Sequence, residues 1–155
     1  MKALIVSDSH GDVDNLEKAV RQTMPDCIYH LGDHIDDIDT LKRQFPHIPM
    51  YAVCGNCDMF TSGPLMLRDE LDGIRLMGCH GHKYGVKSGL MRLRYAAMEM
   101  NVNLCLYGHT HIPHCEEIGD ITFLNPGACS GYDPTYATIE VFEGELQCKL
   151  HRLNG

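Results

Sequence analysis

Apolar positions along this chain fall into short runs separated by turn-forming residues. Ala3-Leu4-Ile5-Val6 is nearly continuous, the pattern of a strand buried on both faces, and predicts a strand over residues 2–7. Leu16, Ala19, Val20 and Met24 then recur on one helical face. They predict a helix over 12–24, capped by Asp12 or Asp14 and stopped by Pro25. A strand over 26–31, a helix over 36–45 closed by Pro46, and a strand over 50–54 follow. This alternation predicts parallel pairing with right-handed crossovers.

The pattern then changes. Residues 61–67 are expected to form a loop, 74–79 a strand, and 88–101 a helix with Ser88 as its N-cap. Strands are expected over 103–107, 121–124, 136–142 and 146–153, with Gly144 turning the last pair into a hairpin. Repeats, low-complexity runs and linkers are not evident, so one domain over residues 1–155 is expected.

Composition narrows the possible functions. A net charge of −8 argues against stable nucleic-acid binding, which needs a basic face. The apolar run at 3–6 is too short for a signal core, and no run approaches a membrane span. A cytoplasmic location is expected, with the 8 cysteines as free thiols.

Chemistry enters at the strand ends. Five predicted strands run into Asp8-Ser9-His10, Gly32-Asp33, Gly55-Asn56, His80-Gly81-His82 and Gly108-His109-Thr110-His111. Any one of these could be an ordinary turn or cap. Together they deliver ligand-competent side chains to the carboxyl edge of a parallel sheet, where sites form. Seven oxygen and nitrogen donors are too many for one tetrahedral zinc, but suit two five- or six-coordinate ions sharing a carboxylate. The mix of imidazole, carboxylate and amide suits manganese, iron or zinc better than magnesium or calcium.

The ordered set Asp-x-His, Gly-Asp, Gly-Asn, His-Gly, Gly-His-x-His, extended by Asn125-Pro126-Gly127, resembles the calcineurin-like metallophosphoesterase superfamily. The chain's size and its Gly55-Asn56-Cys57-Asp58 segment resemble the short bacterial and archaeal phosphodiesterase branch. The resemblance implies an α/β fold, a four-layer sandwich of two mixed sheets flanked by helices. It implies Asp8, His10 and His111 on a first metal, Asp33 bridging, and Asn56, His80 and His109 on a second. Manganese is the expected ion, with iron, zinc and nickel as alternatives.

The activity implied is hydrolysis of a small phosphate ester, diester before monoester, by a hydroxide bridging the two metals. Asp33, Asn56, Asp58 and His82 are the expected catalytic residues, and Asp36 and Asp58 the acids that orient imidazoles. One departure stands out. Larger members carry a histidine after Gly-Asn, thought to protonate the leaving group, where this chain has Cys57. His82 is a substitute donor.

Lys83, Lys87, Arg92 and Arg94 make the following segment basic, either as a solvated helix face or as a clamp for a second phosphate or nucleotide. Two other functions compete with hydrolysis. One is a catalytically silent scaffold resembling the retromer subunit of the same fold. The other is a thiol oxidoreductase built on Cys54-Gly55-Asn56-Cys57. A homo-oligomer is compatible with all of these.

Overall fold

A computed structural model describes residues 1–59 and 63–155. Among the described residues, ten strands and three α-helices form two five-stranded mixed sheets with helices on the outer faces. The first sheet contains β1 (Lys2–Val6), β2 (Cys27–His30), β3 (Met50–Ala52), β9 (Thr135–Phe142) and β10 (Glu145–Arg152), in the order β10-β9-β1-β2-β3. The second contains β4 (Met66–Leu71), β5 (Ile74–Cys79), β6 (Leu104–Leu106), β7 (His114–Ile118) and β8 (Ile121–Asn125), in the order β4-β5-β6-β8-β7.

In the first sheet β1, β2 and β3 run parallel, with β3 at one edge and antiparallel β9 and then β10 on the β1 side; in the second, the parallel pairs β5–β6 and β6–β8 lie centrally between the antiparallel edge strands β4 and β7. Their inner faces pack Ile5, Tyr29 and Val53 from one sheet against Leu76, Leu106 and Leu124 from the other. Helices α1 (Val13–Thr23) and α2 (Asp37–Gln44) cover the outer face of the first sheet through Leu16, Val20, Ile38 and Leu41. Helix α3 (Met91–Glu99) covers the second through Leu93 and Ala97. This is the expected four-layer sandwich.

Asp12 caps α1, its carboxylate accepting the Asn15 amide, and α1 ends at Thr23 with Met24 in a left-handed cap. Ser88 does not cap α3. Residues 82–88 instead form two short 3-10 turns around Gly85, and the helix begins after Leu90. Of the loop expected over residues 61–67, residues 61 and 62 lie outside the described residues, and Met66 and Leu67 belong to β4. Strands β4 and β7 were not expected. Both are edge strands, and their outward positions carry charge (Arg68, Glu70, Glu116, Glu117), which hides the period-two pattern.

Candidate metal centre

Both sheets end at the same edge of the sandwich. Asp8 follows β1, Asp33 follows β2 and Gly55 follows β3, while His80 follows β5 and His109 follows β6. Backbone bonds tie these ends together. The Asp8 amide donates to the Gly32 carbonyl at 2.8 Å, and the Gly108 amide to the His80 carbonyl at 2.9 Å. The loops turn tightly enough to put Asp8, His10, Asp33, His34, His109 and His111 at positive φ, between 47° and 74°. Non-glycine residues rarely adopt this conformation, and it concentrates where structure over-determines a functional site.

Asp8 is fully buried. Its Oδ2 accepts the Ser7 hydroxyl at 2.6 Å and the His109 amide at 3.2 Å. Its Oδ1 has no hydrogen-bond partner among the described residues, yet lies 3.2 Å from His111 Nε2, 3.8 Å from His80 Nε2 and 3.9 Å from His10 Nε2. Beside it, His80 Nε2 lies 3.4 Å from Asp33 Oδ2 and 3.1 Å from His109 Nδ1. His80 Nδ1 donates to the Leu31 carbonyl at 2.8 Å, which leaves the lone pair of neutral His80 on Nε2, facing the cluster. Ligand-competent atoms converge in three groups: Asp8 with His10 and His111, Asp33 with His80 and His109, and His10 with Asp33 and Cys57.

An unpartnered buried carboxylate oxygen among imidazole lone pairs is costly without a cation. The donor set therefore fits divalent ions. The charge balance agrees. Burial works to raise the Asp33 carboxyl, but His80 and the Cys57 amide, which donates to Oδ1 at 2.9 Å, hold it below the usual carboxylate range. Burial works to lower His80, and Asp33 and Asp8 reverse it, so its pKa is raised. Burial and the charge on His80 lower both His82 and His109.

The remaining expected residues fall as follows. Asn56 sits exposed on the same turn, its amide donating to Cys57 Sγ at 3.7 Å. The His82 ring centroid lies 5.5 Å from that of His80 and 6.2 Å from that of His109, and its buried Nδ1 has no hydrogen-bond partner among the described residues. Asp58 accepts the amides of Asp33, His34, Ile35 and Gly55, all at 2.8–2.9 Å, so it stitches the second and third loops together from below. Gly55 is required in this arrangement, because a Cβ there would strike the Asp33 carboxylate.

A buried network was missed by sequence reasoning. The Gly32 amide donates to His30 Nδ1 at 3.1 Å, so His30 Nε2 carries the proton and donates to Ser9 Oγ at 2.9 Å. Ser9 donates to Asp37 Oδ2 at 2.7 Å, and Asp37 Oδ1 holds His34 Nδ1 at 2.8 Å. The buried acid bonded to an imidazole here is thus Asp37, the neighbour of the expected Asp36. Burial lowers His30 to about 4, so it is neutral near pH 7.

The calcineurin-like phosphoesterase superfamily domain matches residues 1–144. The chain belongs to that superfamily. Its relatives include YsnB of Bacillus subtilis, named a probable metallophosphoesterase, 31% identical over 135 residues that cover 83% of this chain and 75% of that one. Phosphodiesterase MJ0936 of Methanocaldococcus jannaschii is 26% identical over 167 residues and covers 94% of each chain. Among solved structures, a predicted phosphoesterase from Streptococcus pneumoniae superposes with a TM-score of 0.83 at 29% identity, covering 99% of this chain and 90% of that one. Vacuolar Protein Sorting 29 of Cryptosporidium parvum shares the fold, with a TM-score of 0.77 at 14% identity over 97% of this chain and 96% of that one. The superfamily implies divalent metal cofactors, and the described residues offer the ligand groups for them. No helix among the described residues is long and apolar enough to cross a membrane.

Proposed function

We propose that this chain hydrolyses a small phosphate ester, diester in preference to monoester, using two divalent ions, manganese before iron, zinc or nickel. The observation that carries this reading is Asp8 Oδ1, buried without a hydrogen-bond partner among the described residues and faced by the Nε2 atoms of His10, His80 and His111. Asp8, His10 and His111 would hold one ion, Asn56, His80 and His109 the other, and Asp33 both. Two ions so held supply Lewis acidity to the phosphoryl oxygens and acidify a water molecule at neutral pH.

The chain's own residues do the rest. Asp33 is kept ionised by His80 and the Cys57 amide, which suits a bridging role. Burial and Asp33 raise the Cys57 thiol, so it stays protonated near pH 7 and can donate to a departing oxygen. His82, on the side of His80 and His109, is the second proton carrier. Asp58 acts through the backbone of Asp33 and is a positioning residue.

The test is hydrolysis of bis(p-nitrophenyl) phosphate and p-nitrophenyl phosphate by metal-stripped protein, before and after Mn²⁺ is added, with Asn56→Ala as control. Manganese-dependent turnover, faster on the diester and weakened in the control, is expected. Tight metal binding with no turnover of either ester would overturn the reading. It would favour a silent scaffold, which the fold shared with Vacuolar Protein Sorting 29 also accommodates.

A further inference from the structure

A groove of about 830 Å³ opens beside the candidate metal centre, within the roughly 300–1,000 Å³ typical of small-ligand sites. Thr110, which lies between His109 and His111 in the chain, lines it, as does Lys87. One wall comes from α3 and the turn before it, the other from the segment entering β7.

Two features of the groove need an explanation that folding does not supply. The first is exposed apolar surface gathered in one place. Met91, Tyr95, Met98 and Ile112 are 71%, 61%, 56% and 65% exposed, and all four line the groove. Isolated exposed apolar residues are ordinary, but a contiguous set marks a binding surface. Tyrosine offers a flat face for stacking, and methionine a deformable wall.

The second feature is charge. The chain carries a net −8, yet between residues 73 and 98 the only Asp, Glu, Lys or Arg residues are Arg75, Lys83, Lys87, Arg92 and Arg94. Of these, Lys87 and Arg94 line the groove, and neither side chain forms an ion pair among the described residues. Glu116 also lines it, and is paired with His114 at 3.0 Å.

We propose that this groove seats the aromatic arm of the phosphate-ester substrate, Tyr95 and Ile112 contacting the ring while Lys87 and Arg94 meet its anionic groups. The inference rests on the hydrolase reading above and narrows its substrate class to esters with an apolar ring beside the phosphate. Charge complementarity and the groove's continuity with the metal-ligand loop favour such a ligand over a second copy of this chain.

Two measurements separate the groove from the chemistry. The first compares kcat/KM for bis(p-nitrophenyl) phosphate and methyl p-nitrophenyl phosphate, which share a leaving group and differ in the second arm. Relative to the ratio of the uncatalysed rates, the manganese-loaded protein should favour the aryl arm by about tenfold or more, from burial of one ring, and its ratio should fall toward the uncatalysed one in Tyr95→Ala and Ile112→Ala. Both side chains are exposed, so neither change threatens the core. The second measures calorimetric binding of (1-naphthylmethyl)phosphonate against methylphosphonate, with the same expected ratio and the same loss in the variants.

Turnover without discrimination in either measurement overturns the groove and leaves the hydrolase reading standing. Discrimination between the phosphonates without turnover of any ester does the reverse. A dimer that Tyr95→Ala converts to monomer, with both ratios unchanged, would assign the groove to self-association and overturn the proposal.

Discussion

Asp58 Oδ2 accepts the backbone amide of Asp33 at 2.9 Å and that of Gly55 at 2.8 Å, so one acid holds the loop that carries another. Asp33 Oδ2 lies 3.4 Å from His80 Nε2, whereas the Asp58 carboxylate is taken up by backbone amides. Substituting Asp58→Asn keeps the volume but removes the negative charge and half of the acceptor capacity, while four amides still need partners. A stability loss of about 2–4 kcal/mol is expected in urea unfolding of the metal-free protein. Diester turnover should fall with it, because Asp33 loses its support.

Asp33→Ala makes a different prediction. The side chain lies at the junction of two of the candidate ligand groups. Its removal should cut bound metal, read by elemental analysis after dialysis, and lower turnover by about a thousandfold or more. Asp33→Ala protein with full metal content and activity would refute the bridging assignment.

Gly55→Ala tests packing rather than ligation. The added methyl group meets the Asp33 carboxylate and amide, so the loop must shift. Metal affinity should drop by roughly ten- to a hundredfold, the range for lost support around a metal ligand, while far-ultraviolet circular dichroism stays unchanged.

His30 imposes a pH dependence on stability. Its ordinary value of 6.5 falls to about 4 in the folded chain, where burial disfavours the charged form. Between these values the unfolded chain binds a proton that the folded chain does not. The contribution is therefore present in full above pH 6.5 and is lost as pH falls toward 4, amounting to roughly 3 kcal/mol. Denaturant midpoints of metal-free protein from pH 7.5 to 4.5 should show this decline, and His30→Gln should flatten it. A wild-type profile no steeper than the variant's would contradict the assignment.

Cys57 stands where larger superfamily members carry the histidine thought to protonate the leaving group. Cys57→His should raise kcat for a diester with an alkyl leaving group by about tenfold to a hundredfold, and change p-nitrophenolate release little, because that leaving group needs no proton. Equal effects on both substrates would place the proton elsewhere.

Much of this site was legible because strands buried on both faces announce themselves. Ala3-Leu4-Ile5-Val6 admits little besides a central strand, and once it is placed, Asp8 must lie at its carboxyl end. The same holds for His80 after β5 and His109 after β6. Strands β4 and β7 were hidden because an edge strand with a wet face carries Arg68, Glu70 and Glu116, as a loop does. The network joining Ser9, His30, Asp37 and His34 was hidden for another reason. Ser9 meets residues 21 and 28 positions away, a separation that no local spacing encodes, and each member alone suits a turn or a helix end. Ser88 misled because serine is a good cap, but the glycines at 85 and 89 let the chain make tighter turns first.

The candidate ligands come from both sheets: Asp8 and Asp33 hang from the first, and His80 and His109 from the second. Between the sheets the contact is mainly apolar, with the Tyr29 hydroxyl donating to Asp69 Oδ2 at 2.6 Å from one sheet to the other. Cations at this edge would act as rivets through both plates. Binding would then register as mechanical coupling, with amide exchange slowing together at the carboxyl ends of β1, β2, β5 and β6, and least at the far edge where β7 ends and β10 begins.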